Sequence, residues 1–429
     1  MKRQYKESAL LQYMENQVPA MLSLLQALVE LESPSGEKAY IDKLVDFLGC
    51  RFRELGLLVE VREGPLGNHL IVTRNAGDEK AGDERAEDEN AGDDVDTGGV
   101  HGGRTRVSDE SGGRYEAPGG KQGRGVGQIL ILCHVDTVWD AGEIADRPFE
   151  VIGDKAYGPG VLDMKGGIVQ TYFAFKALKD LGMRTGRRIR ALFTPDEEQG
   201  SSSSYPIIEE EARQSAYVLV PEPAAAPSGG LKTGRKGIAK FKVHISGRAS
   251  HAGGDPQRGR SAIEELAHQI LRLHALTDYE VGTSVNVGVV RGGTRSNIVA
   301  ASAEAEVDVR FCTMDEGERV KEVIMNLSPV LPDIEISVTG GIERPPMTRT
   351  PEGTRLFRIA KGFAQDLGFD VCEEFSGGAS DGNFTATMGV PTLDGLGPVG
   401  AGSHATNEHV VIASLPQRAA LMAKLLAAL

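Results

Sequence analysis

The run Gln128-Ile-Leu-Ile-Leu-Cys133, continued by His134-Val-Asp136, decides how the rest of the chain is read. Its apolar residues do not alternate with polar ones, so it is a strand buried on both faces of a sheet. Such strands are parallel and need helical crossovers. The sequence on either side supplies them. Ile168, Tyr172, Phe175 and Leu178 have helical spacing over 168 to 181, and the runs 188 to 194 and 216 to 220 read as further buried strands. Upstream, an amphipathic helix is expected over 8 to 31, ending at Ser33-Pro34-Ser35-Gly36. A second helix follows to about Leu57, then strands at 58 to 62 and 69 to 74. The fold class is α/β, with a mostly parallel sheet.

From about Gly230 the pattern changes. Strand 237 to 246, helix 261 to 274, strands 283 to 291 and 301 to 311, helix 315 to 327 and strand 333 to 339 run β-α-β-β-α-β, the order of a ferredoxin-like α+β domain. The first pattern then returns, with a helix near 352 to 366, a Gly-rich loop at 376 to 382 and a closing helix at 414 to 428. We therefore expect a first domain over 1–228 and 343–429 interrupted by an inserted domain over 229–342. A second insertion, 76–127, begins AGDEKAGDERAEDENAGDDVD and continues Gly-rich and polar. It offers too little apolar surface to offset the entropy of ordering it, so the sequence predicts a disordered acidic segment.

The chain has 429 residues and a net charge of -14, with no Lys/Arg cluster able to neutralise a phosphate backbone, which argues against nucleic acid as a partner. Cys50, Cys133, Cys312 and Cys372 are far apart and fit reduced thiols in a cytoplasmic protein. The N-terminal segment lacks an apolar signal-peptide core, and no stretch is long enough to cross a membrane, so no membrane partner is expected.

Chemistry concentrates where strands end. His134 and Asp136 follow the 128 to 133 strand at i and i+2, on one face of extended chain, so the carboxylate can orient the imidazole of a metal-binding histidine. Asp163 lies in the Gly-dense turn Tyr157-Gly-Pro-Gly-Val-Leu-Asp-Met-Lys-Gly-Gly167, Glu197-Glu198 follows the 188 to 194 strand, and Glu222 follows the next. His404 sits in Gly402-Ser-His-Ala-Thr-Asn-Glu-His409. Each has an ordinary explanation alone, as an N-cap or a solvated turn. Together they are the nitrogen and oxygen ligand set of a two-metal hydrolase, suited to zinc or a similar divalent ion. Of two adjacent carboxylates, one can hold metal while the other takes a proton.

The segments CHVDTV, GPGVLDMKGG, TPDEEQGS, VPEP, GRASHAG and GSHATNEHV, in this order, resemble the M20 family of metallopeptidases, most closely its glutamate carboxypeptidase branch. The resemblance implies two Zn2+ per chain, with Co2+ or Mn2+ as substitutes. Asp163 would bridge them, His134 and Glu222 would complete one site, and Glu198 and His404 the other. Glu197 would be the general base, and the Asp163-Met164 peptide would be cis. The inserted domain would be a lid through which a homodimer forms, and His251 would stabilise an oxyanion, often in the partner subunit's site. Asn297, Arg310 and Arg344, with Gly378 and Ser380 of the Gly-rich loop, resemble substrate-binding residues. By the same resemblance, Glu at 222 implies release of a C-terminal amino acid such as glutamate from a small peptidyl or N-acyl substrate. The same residues would serve an N-acyl-amino-acid deacylase of the acetylornithine deacetylase or aminoacylase kind, or, more remotely, a catalytically silent binding protein. One departure bears on specificity: where the branch places a glutamate-reading lysine, this chain has Gly229-Gly230, with Lys232 nearby.

Overall fold

The computed structural model describes residues 2–77 and 127–429, so the expectation for 76–127 falls almost entirely outside the described residues. The chain opens with α1 (Lys2–Asn16) and α2 (Val18–Glu30), where one helix was expected. The cause is Pro19, which has no N–H to continue the ladder and sits in the first turn of a new helix. α3 (Lys38–Glu54), β1 (Leu58–Arg62) and β2 (His69–Arg74) follow. β3 (Gln128–His134) is buried along its whole length, and each large aliphatic side chain on it stabilises the fold by about 1.5–3 kcal/mol. Next come α4 (Glu143–Asp146), the short β4 (Glu150–Ile152) and β5 (Lys155–Tyr157), then α5 (Gly166–Asp180), β6 (Ile189–Thr194), α6 (Tyr205–Arg213) and β7 (Ser215–Leu219).

The second pattern comprises β8 (Leu231–Arg235), β9 (Gly237–Ser246), α7 (Ala262–His274), β10 (Ser284–Gly292), β11 (Ser302–Phe311), α8 (Met314–Met325) and β12 (Glu335–Arg344). α9 (Pro351–Asp366), β13 (Glu373–Ser376), α10 (Gly382–Thr387), β14 (Thr392–Leu393), β15 (Gly400–Ala401), β16 (His409–Val411) and α11 (Ser414–Ala428) complete the chain.

The main sheet has the order β1-β2-β6-β3-β7-β14. Only the β1/β2 and β2/β6 pairs are antiparallel; β6, β3, β7 and β14 run parallel. The carboxyl ends of β3, β6 and β7 therefore share one edge, where open α/β sheets bind ligands. α5 and α11 pack against each other, and their apolar side chains join those of the N-terminal helices in the larger core.

The second sheet has the order β10-β11-β9-β12, all antiparallel, and a core of its own beneath α7 and α8. Its strand order is that of the ferredoxin-like arrangement read from the sequence. β8 belongs elsewhere, because it pairs with β13. The chain thus passes to the second sheet at Lys236, later than residue 229, and leaves it at Arg344.

Two expected strand-end positions come from another place. Asp163 and His404 do not follow strands of the parallel sheet; they flank a small antiparallel sheet, β15-β16-β5-β4, placed beside it. Glu222 is carried on a loop between two glycines that no other residue could replace. A Cβ on Gly167 would lie 2.0 Å from the Pro221 carbonyl oxygen, and one on Gly397 would lie 2.5 Å from that of Glu222.

Candidate active site

Two groups of ligand atoms meet at the sheet edge, His134 with Asp163 and Glu222, and Asp163 with Glu198 and His404; within each group the atoms lie within 4.8 Å of one another. Asp163 is common to both. Nε2 of His134 is 3.2 Å from Asp163 Oδ1 and 3.4 Å from Glu222 Oε1. Nε2 of His404 is 3.2 Å from Glu198 Oε1 and 3.5 Å from Asp163 Oδ2. The donor set is nitrogen and oxygen only, with one carboxylate shared, so it fits a pair of divalent cations of the zinc kind.

Electrostatics points the same way. Burial works to lower the pKa of His134, yet hydrogen bonds to Asp136, Asp163 and Glu222 carry it well above the ordinary imidazole range. Hydrogen bonds to Asp163 and Glu198 push His404 up to about 10. Burial alone would raise Asp163, but its two histidine partners hold it below the usual carboxylate range. The two imidazoles thus favour their protonated forms at the positions where a metal would bind.

Supporting groups hold these side chains from behind. His134 Nδ1 lies 3.0 Å from the Asp136 carbonyl and 3.4 Å from its carboxylate, which leaves Nε2 as the ligand atom. The Asp136 carboxylate accepts from Ser35 Oγ at 2.7 Å and from the backbone N–H groups of Glu197 and Glu198, both at 3.1 Å. It thus fixes the turn on which the two glutamates sit. Glu408, 1% exposed, accepts four hydrogen bonds, from the backbone of Gly160, Leu162 and Asp163 and from the indole of Trp139. Arg235 stands behind Glu222 at 3.5 Å and is itself paired with Asp394 at 2.6 Å. The Asp163-Met164 peptide is cis, and His404 takes a left-handed φ of 62°.

Glu197 is not a ligand in either group but lies beside them. Burial raises its pKa well above the ordinary value, opposed by the charge of Arg344. Arg344, expected to meet substrate, is 3% exposed and committed to the chain: Nη1 is 2.9 Å from Glu197 Oε1 and 3.0 Å from Asp381 Oδ1. Ser380 is likewise occupied, fully buried with its hydroxyl on Asp394 at 2.5 Å, and the Gly378 carbonyl accepts from Arg235. The position of a side chain in a Gly-rich loop depends on the loop's path, which sequence does not reveal.

Three other expected residues, Arg310 on β11 and His251 and Asn297 in loops of the second domain, make no hydrogen bond to the carboxylate cluster among the described residues. Arg310 forks onto Asp308 at 2.7 and 3.0 Å. Asn297 and His251 lie together, the Asn297 carbonyl accepting from Ala252 and His251 bridging to Ile298. His251 follows the distal end of β9, whose ten residues at about 3.3 Å each span about 33 Å from the crossing point. Its Nδ1 accepts from the backbone N–H groups of Gly253 and Gly254 at 3.1 and 2.9 Å, so Nε2 carries the proton and is a donor.

A cavity of about 400 Å³ adjoins the cluster, lined by Leu162, Pro223 and Ser403, each one residue from Asp163, Glu222 and His404. Lys232 also lines it. This lysine is 8% exposed, its backbone pairs with that of Asp394, its ammonium forms no hydrogen bond or ion pair among the described residues, and its pKa is lowered by burial and by Arg235. Phe375, Ser376 and Gly377 are the lining residues of the Gly-rich loop region, in place of Gly378 and Ser380.

Comparison with known proteins agrees with this geometry. Residues 130–428 match Peptidase family M20/M25/M40. Carboxypeptidase G2 of Pseudomonas sp. (strain RS-16) is 31% identical over 427 residues, covering 99% of this chain and 92% of that protein. Succinyl-diaminopimelate desuccinylase of Paracidovorax citrulli is 28% identical over 327 residues, 72% of this chain and 82% of that one. Among solved structures, a tripeptidase from Staphylococcus aureus superposes with a TM-score of 0.70 at 21% identity, covering 95% of this chain and 97% of its own.

Proposed function

The chain belongs to peptidase family M20/M25/M40, and we propose that it hydrolyses an amide bond next to a free carboxylate, releasing an amino acid from a peptidyl or N-acyl substrate. The observation that carries this reading is the pair of ligand groups sharing Asp163, with the non-ligand Glu197 beside them. Two zinc ions held by His134, Asp163 and Glu222 and by Asp163, Glu198 and His404 would supply Lewis-acid polarisation of the scissile carbonyl and a more acidic water. Glu197 takes a proton from the attacking water and passes it to the leaving nitrogen. Its raised proton affinity suits both halves of that transfer. Asp136 keeps His134 and the Glu197 turn in place.

The substrate's acidic group is assigned to Lys232. Arg344 is engaged with Glu197 and Asp381, whereas Lys232 is a buried cation lining the cavity whose ammonium has no ion pair among the described residues, so an incoming carboxylate would compensate its desolvation. This supports glutamate or another acidic residue as the product. The desuccinylase relative favours a second placement, with the acidic group on the acyl side. His251 is too far along β9 to serve its own chain in this arrangement, and its Nε2–H suits an oxyanion in a partner's site. A homodimer fits the surface: α7 exposes Ile263 and Leu271, and β10, a sheet edge among the described residues, exposes Val289 and Val290.

The test is kcat/KM for N-acyl-glutamate, its neutral N-acyl-glutamine counterpart and the C-terminal amide of each, with metal-loaded wild type and Lys232→Met. Lys232→Met should lose about tenfold to a hundredfold on the acidic substrate and little on the neutral one, because a charged hydrogen bond contributes about 1.5–3 kcal/mol. Equal cleavage of acids and amides by the wild type would remove the carboxylate reading.

A further inference from the structure

Arg344 occupies an unusual position. It is the last residue of β12, an edge strand of the second sheet, yet its guanidinium is buried in the first domain among groups remote in sequence. Nη2 donates to the carbonyl oxygen of Glu197 at 2.6 Å and to Ser201 Oγ at 2.8 Å, while Nη1 meets Glu197 Oε1 at 2.9 Å and Asp381 Oδ1 at 3.0 Å. Its carbon end lies over the Phe384 ring, 5.2 Å from the centroid. Asp381 is held in turn by Thr194 Oγ1 at 3.2 Å and by Ser201. Arginine suits this seat because its donors form a rigid planar fork; lysine offers the charge without the fork.

Glu197 is therefore gripped at three points. Its N–H is bound by Asp136, and its carbonyl and one carboxylate oxygen are bound by Arg344. The other oxygen, Oε2, has no hydrogen bond among the described residues. A proton carrier needs this arrangement: a single rotamer, with one oxygen anchored and the other free to meet water. The anchor belongs to the inserted sheet, so one side chain ties the edge strand of that sheet to the orientation of the carboxylate.

We propose that Arg344 is a positioning residue for Glu197 and not the anchor of the substrate carboxylate. The proposal rests on the reading of Glu197 as the proton carrier, and the experiment separates the two.

Arg344→Lys, Glu197→Gln and the double variant are compared in kcat, KM and metal content, on a free-acid substrate and its C-terminal amide. We expect Arg344→Lys to lower kcat by about tenfold to a hundredfold, the range that follows from misplacing a reacting group by roughly 1 Å. KM should stay within about threefold, with metal content and the free-acid preference unchanged. In the Glu197→Gln background the same change should cost no more than about twofold, because a residue acting through Glu197 has nothing left to position. Ser201→Ala keeps the guanidinium and removes one of its anchors; it serves if Arg344→Lys does not fold, and should lower kcat with KM unchanged. A rise in KM with kcat retained, together with loss of the free-acid preference, would return Arg344 to the substrate carboxylate and overturn the proposal. Full, multiplicative loss in the double variant would overturn it too. If Glu197→Gln itself turns over normally with its metal in place, the proton-carrier reading fails and takes the proposal with it; failure of the Arg344 predictions alone leaves that reading standing.

Discussion

Replacing Glu408 by glutamine changes one atom and should nevertheless be costly. Oε1 accepts from Leu162 N at 2.9 Å and Asp163 N at 3.0 Å; Oε2 accepts from Gly160 N and Trp139 Nε1, both at 2.9 Å. All four neighbours are donors, so the ionised carboxylate is the form that satisfies them. Whichever way a glutamine amide is turned, its NH₂ faces two donors and leaves them unpaired. Each buried donor left unpaired costs about 1–3 kcal/mol, or about 2–6 kcal/mol for two. Relief from burying a charge acts in the other direction, since burial pushes the Glu408 pKa up, so we expect a loss of about 2–3 kcal/mol. The assay is urea unfolding of the metal-stripped protein, followed by circular dichroism and by fluorescence. Trp139 is the only tryptophan and one of the four donors, so the optical probe sits at the perturbed site. Because Glu408 also holds the backbone of Asp163, divalent-cation affinity should fall by about 10–100-fold, as for other groups that orient a ligand. A Glu408→Gln protein within about 0.5 kcal/mol of wild type, with unchanged cation affinity, would refute this reasoning.

Two further outcomes are expected. Metal analysis should approach two ions per chain, and loading should release protons, because without cations His404 titrates at about 10 and His134 is raised as well. Cation affinity should therefore climb from pH 6 to pH 9, while stability that the metal-free protein draws from the His404 proton is complete below about pH 6.5 and lost as pH rises through about 10. Calorimetry in two buffers of different ionisation enthalpy counts the protons; loading without release, or activity with one ion or none, contradicts the site as drawn. Leu271, 72% exposed on α7, should lie at a dimer contact. Leu271→Glu should shift sedimentation from dimer to monomer and lower kcat by withdrawing the partner's His251, and a fully active wild-type monomer would exclude that arrangement.

Much of the fold was legible because its signals are local and long. β3 and β6 are largely apolar runs, and the polar residues at or just beyond their ends, His134 and the Glu197-Glu198 pair, stand where the chain must turn out of a sheet. The periodicities of β9 and α11 placed both ends of those elements as the structure has them. The small sheet was not legible. β4, β5, β15 and β16 have two or three residues each, too few to show a period of two, and they are the elements that bring Asp163 and His404 together. Glu408 was passed over for the same reason, since a glutamate in a turn carries no mark of the donors that will surround it.

What this sequence determined by itself is the inventory: which elements form, in which order, and which side chains are chemically able to hold a cation or move a proton. Period and composition encode that, since each depends on neighbours within a turn or a strand. The tertiary structure alone decided who faces whom. Arg344 and Glu197 are 147 residues apart, and a strand-end arginine reads identically whether it will meet solvent, substrate or a buried glutamate. Lys232 stands near the expected lysine position in the sequence, but its place on the cavity wall, with no ion pair to its ammonium among the described residues, came only from the pairing of β8 with β13. Burial and long-range pairing set those roles, and neither is written in the local pattern of residues.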